Sequence, residues 1–566
     1  MLHRRTDADR KRLRPVPPRA RRALPEEAAR AAAELDADPL VAPAAEPLPA
    51  PLVIRALADV PAGRAASSEE ACRAADGSVA GMGGPPRACL SSERQRARVA
   101  DAARAALEAG FAGVCLDRPD APLALGLLGA GFCADCQRAF ARELAREYGE
   151  HFQPIDYLAV AREAVAQAPG AVTFEQLPFG RDFWRARHRQ LERAVSDYAR
   201  SVRDASRGAA RPFDLAIQFE ALGPAQIRAA RHADAAIFPG AIAPAATGIG
   251  LFRLLRAAMG RRPVAVAVAP GHAPQAPAAW ARLAAVAATC GVEVSALEPS
   301  GPGGREIAQV RRLARQLAQA GRPPAGAAPV TECAVLYSAE ADLWTGGRHR
   351  AAVERATETL AALHVQARVV LSPRETPEGA ALVLAEAGAL SAGDAKDVRR
   401  WLENGGAVLA FGEPAQVDDG GRSATTFLPS AKPSGVKVGT GTLAELPSLA
   451  PEKGAAGAPE PAALERALAA LLGKGRRAAG LVSRQPILVV LQRTDDALDA
   501  HLVALGPDRA QGATLFLGVH VAGDARRGRF VSDDGTDLRI PMNPSGYSVS
   551  TVLPAFRGYA VLSLGG

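Results

Sequence analysis

The sequence predicts an α/β protein whose largest domain is a (β/α)8 barrel of the TIM type. Short apolar runs alternate with amphipathic helical patterns between about residues 50 and 320. This alternation is typical of βα units around a parallel sheet. A domain of this length favours a barrel. The pattern then changes twice, which predicts two smaller domains after the barrel.

Six apolar runs are the predicted strands of the barrel, assigned to residues 49–322. They are Pro51–Leu57, Ala112–Leu116, Asp214–Phe219, Ala235–Phe238, Val264–Ala269 and Val292–Leu297. The helical patterns between and after them are Glu93–Ala109, Asp135–Tyr148, Phe183–Ser206, Gly250–Met259, Ala278–Cys290 and Glu306–Ala320. Two strands of the eight are missing, and Pro39–Ala44 is a weak candidate for one of them. The pattern therefore predicts a barrel that is incomplete at its N-terminal end.

Four further regions follow the barrel. The Gly- and Pro-rich segment Gly321–Ala328 is a predicted linker. Strand and helix patterns over residues 330–413 then indicate a small doubly wound α/β domain. Residues 414–484, rich in Gly, Pro and Ser at first, predict a linker and one helix, Ala462–Leu472. Short alternating runs over residues 485–566 predict an antiparallel β-sandwich.

Composition excludes several classes of protein. An apolar content of 48% across 566 residues is too high for a disordered chain. The sequence has no apolar run of about 18 residues, so we expect no membrane span. The net charge of +8 resides almost entirely in residues 1–22, which hold nine Lys or Arg and two Asp. Residues 1–48 therefore predict a basic disordered tail, and the near-neutral remainder argues against a nucleic-acid partner. The alternative for residues 1–22 is an arm that binds nucleic acid or a membrane surface.

Cysteine usage bears on the compartment and on metal binding. Seven Cys in 566 residues do not form a disulfide framework, and no apolar signal segment follows the basic start, so we expect a cytoplasmic protein. Cys133 and Cys136 form a lone CxxC without a second pair. A structural role at a helix start and a metal-site remnant both remain open, with Cys89 and Cys115 as candidates to approach. We expect no metal and no cofactor.

Acidic residues follow three predicted strands and are the candidate catalytic groups. Asp117, Glu220 and Glu298 each stand at the carboxyl end of an apolar run, where barrel active sites lie. Two carboxyl groups brought together there suit glycoside hydrolysis, one as acid and one as nucleophile or base. The alternative for each acid is a helix cap or an Arg partner. A carbohydrate is therefore the expected substrate.

Two other side chains are candidates for binding that substrate. His272 follows the run Val264–Ala269 and would donate a hydrogen bond to a sugar hydroxyl. Trp184, near the start of a long helical pattern, would stack on a sugar ring. A surface histidine and a core tryptophan are the alternatives.

A block of motifs resembles family 42 of the glycoside hydrolases, which includes β-galactosidases. Residues 131–140 read GFCADCQRAF, followed by Tyr148-Gly149 and then Phe183-Trp184-Arg185. Further on, the ALVL run from residue 381 and WLENGG from residue 401 resemble the family's second domain. The resemblance implies a catalytic barrel, an amidotransferase-like trimerisation domain over residues 330–413 and a small β domain. It also implies a homo-oligomer formed through the second of these domains.

The chain departs from the family pattern at the positions that carry its chemistry. The family's acid/base is a Glu after an Asn, and Asp117 is the only carry-over onto that position. The strand aligned with the family nucleophile, Val264–Ala269, offers no acid, so Glu298 is a substitute. Gly131 stands where the family's zinc motif has its first Cys. We expect a divergent glycosidase; the alternative is a catalytically inactive carbohydrate-binding or assembly protein.

The predicted amidotransferase-like segment lacks the nucleophile of that activity. Its one cysteine, Cys333, lies inside an apolar strand rather than on an elbow between strand and helix. A structural or oligomerising role is therefore expected for residues 330–413.

Overall fold

A computed structural model describes the chain outside a set of segments. Those segments are residues 1–18, 21–56, 66, 68–69, 82–84, 150–154, 168–172, 174, 210–212, 241–246, 269–276, 297–327, 419–420, 423, 450–460, 474–476, 495, 507 and 566. The chain divides into two units, Met1–Phe238 and Pro239–Gly566. The predicted barrel boundary near residue 322 and the weak strand Pro39–Ala44 lie outside the described residues.

The first unit alternates parallel strands with helices. Its strands are β1 (Arg19–Ala20), β2 (Leu57–Val60), β3 (Gly113–Asp117), β4 (Asp214–Gln218) and β5 (Ala235–Gly240), the last of which crosses the unit boundary. Its helices are α1 (Glu93–Glu108), α2 (Ala121–Ala124), α3 (Ala134–Tyr148), α4 (Tyr157–Gln167), α5 (Gly180–Ala205) and α6 (Pro224–Ala229), followed by a 3₁₀ turn, Ala230–His232.

Strands β2, β3, β4 and β5 pair in parallel and in chain order, while β1 pairs antiparallel with β2. The middle residues of β3 and β4 are buried on both faces, as parallel strands covered by helices must be. Helix α5 buries an apolar stripe that includes Leu191, Val195 and Tyr198. This arrangement brings the carboxyl ends of β3 and β4 to one edge of the sheet.

The second unit begins with βα elements that continue the pattern. They are α7 (Ile249–Met259), β6 (Val264–Val268), α8 (Pro277–Thr289) and β7 (Glu293–Ala296), with β6 parallel to β7. Five of the six strands predicted between residues 50 and 297 overlap the observed strands β3 to β7, with ends shifted by a few residues. The predicted strand Pro51–Leu57 meets β2 only at Leu57, and its other residues lie outside the described part of the chain. The parallel α/β pattern agrees with a barrel architecture. Among the described helices, none is long and apolar enough to cross a membrane.

An α/β sheet follows, with strand order β10-β9-β11-β12-β16-β15. Its strands are β9 (Cys333–Leu336), β10 (Ala367–Val370), β11 (Ala381–Ala385), β12 (Ala407–Phe411), β15 (Val436–Val438) and β16 (Gly441–Leu446). Its helices are α9 (Ala339–Trp344), α10 (Arg348–Ala362), α11 (Ala392–Glu403) and α12 (Pro461–Leu472), and a hairpin of β13 (Ala415–Val417) and β14 (Ala424–Thr426) lies after β12.

The expected linker over residues 414–484 is wrong for part of its length. Strand β16 pairs in parallel with β12, and β15 returns antiparallel along it. The sequence reads GTLAEL inside a Gly-, Pro- and Ser-rich segment, so its apolar signal is too short to stand out. Burial against β12 and α12 provides the hydrophobic contact that makes it a strand.

The C-terminal region folds into two antiparallel sheets. One has the order β17-β20-β24-β23, and the other β22-β21-β25-β19-β18-β8. The strands are β8 (Ala328–Pro329), β17 (Ala479–Val482), β18 (Ile487–Arg493), β19 (Leu498–Ala504), β20 (Thr514–Gly518), β21 (Arg527–Ser532), β22 (Asp537–Pro541), β23 (Asn543–Ser545), β24 (Ser548–Val552) and β25 (Tyr559–Leu564), with a short helix α13 (Val519–Ala522). The core between them is apolar and includes Leu491, Leu515 and Phe530.

Two buried polar residues join the α/β sheet to the sandwich. Glu332 accepts hydrogen bonds from the backbone N–H of Gln366 and of Ala478, both at 2.8 Å. The amide of Gln366 in turn donates to the carbonyl of Val489 and accepts from the N–H of Leu491. Buried N–H groups without such partners would each cost about 1–3 kcal/mol. Burial raises the pKa of Glu332.

Replacing Glu332 by Ala is expected to lower the free energy of unfolding of the second unit by about 3 kcal/mol, because two buried N–H groups lose their acceptor. Urea unfolding followed by circular dichroism measures the change. Glu378→Ala, at an exposed position, is the control and should change it by less than about 0.5 kcal/mol. Equal effects of the two variants would contradict this role for Glu332.

Candidate functional site

Asp117 is the last residue of β3, and Arg118 bonds to both of its carboxylate oxygens. The guanidinium Nε donates to Oδ1 at 3.1 Å and Nη2 donates to Oδ2 at 3.4 Å. Arg118 has a left-handed backbone with φ of 48°, and its N–H donates to the carbonyl of Gln218 at 2.7 Å. This bond ties the end of β3 to the end of β4 and directs the arginine back over Asp117.

Glu220 lies two residues after β4 and at the same edge of the sheet. Its Oε1 accepts a hydrogen bond from Arg87 at 3.2 Å, and its side chain is 29% exposed. Its Oε2 is buried and makes no hydrogen bond to any described residue. A carboxylate with one oxygen held and the other without a protein partner is a candidate for chemistry.

Asp120, which the sequence analysis missed, connects these two strand ends. It is fully buried, and it accepts hydrogen bonds from the N–H of Glu220 at 2.8 Å and of Ala221 at 3.0 Å. The side-chain amide of Gln226 donates to it at 2.9 Å. Burial raises the pKa of Asp120 to about 6, although these donors favour its charged form. The one available signal was Pro119-Asp120 directly before the short helix α2.

The positive charge of Arg118 interacts with three carboxylates, those of Asp117, Glu220 and Asp120. Burial opposes its charge, but the hydrogen bonds and charge of Asp117, together with the charges of Glu220 and Asp120, raise the pKa of its guanidinium. The alternative considered for each acid, an Arg partner, is therefore present at Asp117 and at Glu220. The structure brings Asp117 and Glu220 to one arginine-centred cluster, to which Asp120 also belongs.

Three other residues were predicted for the site, namely Glu298, His272 and Trp184, and the structure describes only Trp184 among them. Glu298 and His272 lie outside the described residues, so their roles stay predictions. Trp184 is half-buried near the start of α5, where its ring packs edge-on against His188 with centroids 4.6 Å apart. The guanidinium of Arg187 lies 5.7 Å from the Trp184 ring centroid. These contacts are with its own helix, and substrate binding by Trp184 stays a prediction.

Four cysteine thiols of the first unit meet beside α3. The Sγ atom of Cys89 lies 3.2 Å from that of Cys133 and 3.4 Å from that of Cys136, and Cys72 lies 3.9 Å from Cys136. A tetrahedral zinc with bonds of about 2.3 Å separates its sulfurs by about 3.8 Å. The sulfurs of Cys72, Cys133 and Cys136 all lie within 4.8 Å of one another, close enough to hold one metal ion, and Cys89 lies beside two of them. All the separations given are far longer than a disulfide bond of about 2.05 Å.

The expectation of no metal depended partly on Gly131, which stands where the family's motif has a cysteine. The structure shows that thiols from another segment lie at this place. A Cβ on Gly131 would lie 2.9 Å from the ring of Phe183 and 3.0 Å from Cδ of Arg187, so no larger residue fits. Its N–H instead donates to the sulfur of Cys72 at 3.0 Å. Cys72 and Cys89, from the segment before α1, supply the sulfurs that the helix start lacks.

The electrostatics of the cluster suit one shared negative charge. Hydrogen bonds from the thiols of Cys133, Cys136 and Cys89 hold the pKa of Cys72 well below its usual range. The same contacts raise the pKa of Cys136. Cys115, the other thiol considered as a partner, lies inside β3 and is not among the four.

Cys333 of the second unit is fully buried inside β9, as the sequence predicted. Burial raises the pKa of its thiol well above its usual value. A buried neutral thiol is a poor nucleophile, so the geometry argues against amidotransferase chemistry at Cys333.

The raised pKa of Asp120 predicts a pH-dependent stability. Its folded value, about 6, exceeds the unfolded value of about 3.9, so the folded state binds the proton more tightly and gains stability as pH falls from 7.5 to 4.5. The unfolding free energy of the wild type relative to Asp120→Asn should therefore fall by up to about 3 kcal/mol as pH rises across this range. Asp101→Asn, at an exposed position, is the control and should show no such slope. A flat difference for Asp120→Asn would contradict the assignment.

Comparisons with known proteins bear on the fold. No protein-family model and no curated protein matches the chain. A β-galactosidase from Bacillus circulans sp. alkalophilus superimposes with a TM-score of 0.60 at 11% identity, covering 89% of this chain and 88% of its own. A catalytic mutant of a GH42 β-galactosidase from G. stearothermophilus gives 0.60 at 12%, covering 90% and 88%. The α-L-fucosidase isoenzyme 2 of Paenibacillus thiaminolyticus gives 0.56 at 14%, covering 88% and 84%.

These similarities extend over nearly the whole chain at very low identity. They confirm the resemblance that the motifs around residues 131–149 and 183–185 indicated. The chain therefore has the fold of the family 42 glycoside hydrolases in a strongly divergent sequence.

Proposed function

We propose that the chain is a glycoside hydrolase that cleaves O-glycosidic bonds of a glycan or oligosaccharide, with Asp117 and Glu220 as its paired carboxylates. The observation that carries this proposal is that Asp117 and Glu220 both lie at the carboxyl ends of neighbouring strands, β3 and β4. Arg118 bonds Asp117 and Arg87 bonds Glu220, while the charges of both carboxylates act on Arg118. Such an edge is where parallel α/β barrels hold their catalytic groups. The similar solved structures, β-galactosidases and an α-L-fucosidase, support the same class of reaction.

In the proposed mechanism, one carboxyl group acts as the acid and the other as the nucleophile or base. Asp117, matched to the family's acid/base position, would protonate the leaving oxygen, and Glu220 would attack the sugar or activate water through Oε2. Glu298 remains the second candidate for the partner role. Because Arg118 occupies both oxygens of Asp117, the substrate must displace that guanidinium before Asp117 transfers a proton.

Asp120 would be a positioning residue in this mechanism. It holds the backbone N–H groups of Glu220 and Ala221, and it is fully buried. Its contribution would be to keep the Glu220 backbone at a constant distance from the end of β3.

A catalytically inactive carbohydrate-binding or assembly protein is the alternative function. Two observations favour it: the bidentate pairing of Arg118 with Asp117, and the absence of an acid in the described strand β6. An inactive protein of this kind would retain saturable sugar binding without turnover.

A panel of aryl glycosides and oligosaccharides separates the two functions. The wild type is expected to hydrolyse at least one of them, and Asp117→Asn and Glu220→Gln are each expected to lower kcat by about 10²–10⁴-fold with a smaller change in KM. Glu93→Gln, at an exposed helix position, should leave kcat unchanged. Undiminished hydrolysis in Asp117→Asn would reject the assignment. Sugar binding without hydrolysis in the wild type would favour the alternative.

We also propose that Cys72, Cys89, Cys133 and Cys136 hold one structural zinc ion. All four ligand positions would be thiolates, which is the donor set of closed structural sites without an open position for substrate. The bound ion would link the segment around residues 72–89 to the start of α3. It would supply stability and no chemistry at Asp117 or Glu220.

Chain purified with zinc under reducing conditions is expected to contain one zinc ion per chain by elemental analysis. Cys133→Ser should lose most of that metal and lower the Tm, because metal binding contributes directly to folding free energy. Cys290→Ser, outside the four, should keep the full metal content. A metal-free wild type, or Cys133→Ser with unchanged metal, would reject the zinc site.

A further inference from the structure

A polar cavity of about 470 Å³ lies on the outer helices of the first unit. Its lining consists of Arg146, Arg189, Glu192, Arg193, Ser196 and His232. Residues 189, 192, 193 and 196 have helical spacing and share one face of α5, Arg146 projects from α3, and His232 ends the 3₁₀ turn. Each lining side chain carries a charged or polar group, so the cavity offers hydrogen-bond donors and acceptors to a ligand.

The three arginines are held by one carboxylate beneath them. Glu143, only 10% exposed, forms ion pairs with Arg146 at 2.5 Å, Arg189 at 3.6 Å and Arg193. Each guanidinium carries five N–H donors, far more than two carboxylate oxygens accept. Their side chains are 60%, 34% and 49% exposed, so the remaining donors are accessible from solvent.

The balance of charge favours an anion. Glu143 and Glu192 leave one positive charge among the arginines, and Glu192 faces His232, with Oε1 and Nε2 3.9 Å apart. Three guanidiniums close together repel one another unless anions lie between them. Glu143 offsets part of that repulsion and orients the three guanidinium groups. Their solvent-facing N–H groups stay available to a second anion.

The cavity lies away from the proposed catalytic carboxylates. His232 precedes the amino end of β5, whereas Asp117 and Glu220 follow the carboxyl ends of β3 and β4. Because these strands are parallel, the two sites occupy opposite edges of the sheet. A ligand in the cavity would therefore not compete with a substrate at Asp117.

We infer that this cavity binds a tetrahedral oxyanion, the phosphate or sulfate group of a small sugar ester. Bidentate guanidinium forks match the oxygen geometry of such a group. The cavity is open to solvent, and its volume leaves room beside the anion for a polar group such as a sugar ring. The cavity constitutes a second binding site, independent of the proposed hydrolase activity.

Isothermal titration of the full chain with inorganic phosphate, inorganic sulfate, glucose 6-phosphate and glucose 6-sulfate tests the inference. One saturable site is expected, with the sugar esters binding more tightly than the free ions. The double variant Arg189→Gln/Arg193→Gln should weaken binding at least tenfold. Arg193→Lys, which keeps the charge and loses the fork, should weaken it by a smaller factor.

The matched control is Arg104→Gln/Arg207→Gln, which removes two exposed arginines elsewhere on the same unit and should leave the affinity unchanged. Sodium chloride at equal ionic strength separates specific binding from general screening. Tighter binding of the free ions than of the esters would overturn the assigned carrier. No saturable binding, an equal loss in the control variant, or equal competition by chloride would overturn the site.

Discussion

The candidate site depends on one buried carboxylate. Asp120 accepts three hydrogen bonds from the segment after β4, while the neighbouring Arg118 donates its N–H to the end of that strand. The charge of Asp120 is tolerated at full burial because these donors replace water, although burial still raises its pKa to about 6. Strand pairing already sets the ends of β3 and β4 side by side, and Asp120 fixes the segment beyond β4 that carries Glu220.

In the thiol cluster, too, a backbone N–H group provides a hydrogen bond to a buried side chain. Gly131 provides a backbone N–H where a side chain is sterically excluded by Phe183 and Arg187. Arg187 is itself buried and donates to the carbonyls of Pro122 and Leu127, so one arginine fills the space beside the thiols and anchors the loop after α2. A glycine at position 131 is thereby compatible with a cluster of four thiols, two from this segment and two, Cys72 and Cys89, from the segment before α1.

Local pattern was sufficient for much of the fold. The runs around Val114, Ile217 and Val266 are apolar on both faces, which predicts buried parallel strands without knowledge of their neighbours. Asp117 and Glu220 were predicted as rim residues because each directly follows such a run. Strand β16 was missed because its six residues resemble the surrounding loop, and only pairing with β12 makes them a strand.

The sequence by itself determined the order of the modules, the strands that carry the candidate acids and the near-neutral charge of the chain after residue 22, because these follow from periodicity and composition. The tertiary structure alone decided which side chains meet. The partners of Asp120, the four thiols and the three arginines around Glu143 are separated by up to 106 residues along the chain. Contacts at such separations depend on how helices and strands pack, which no local pattern encodes.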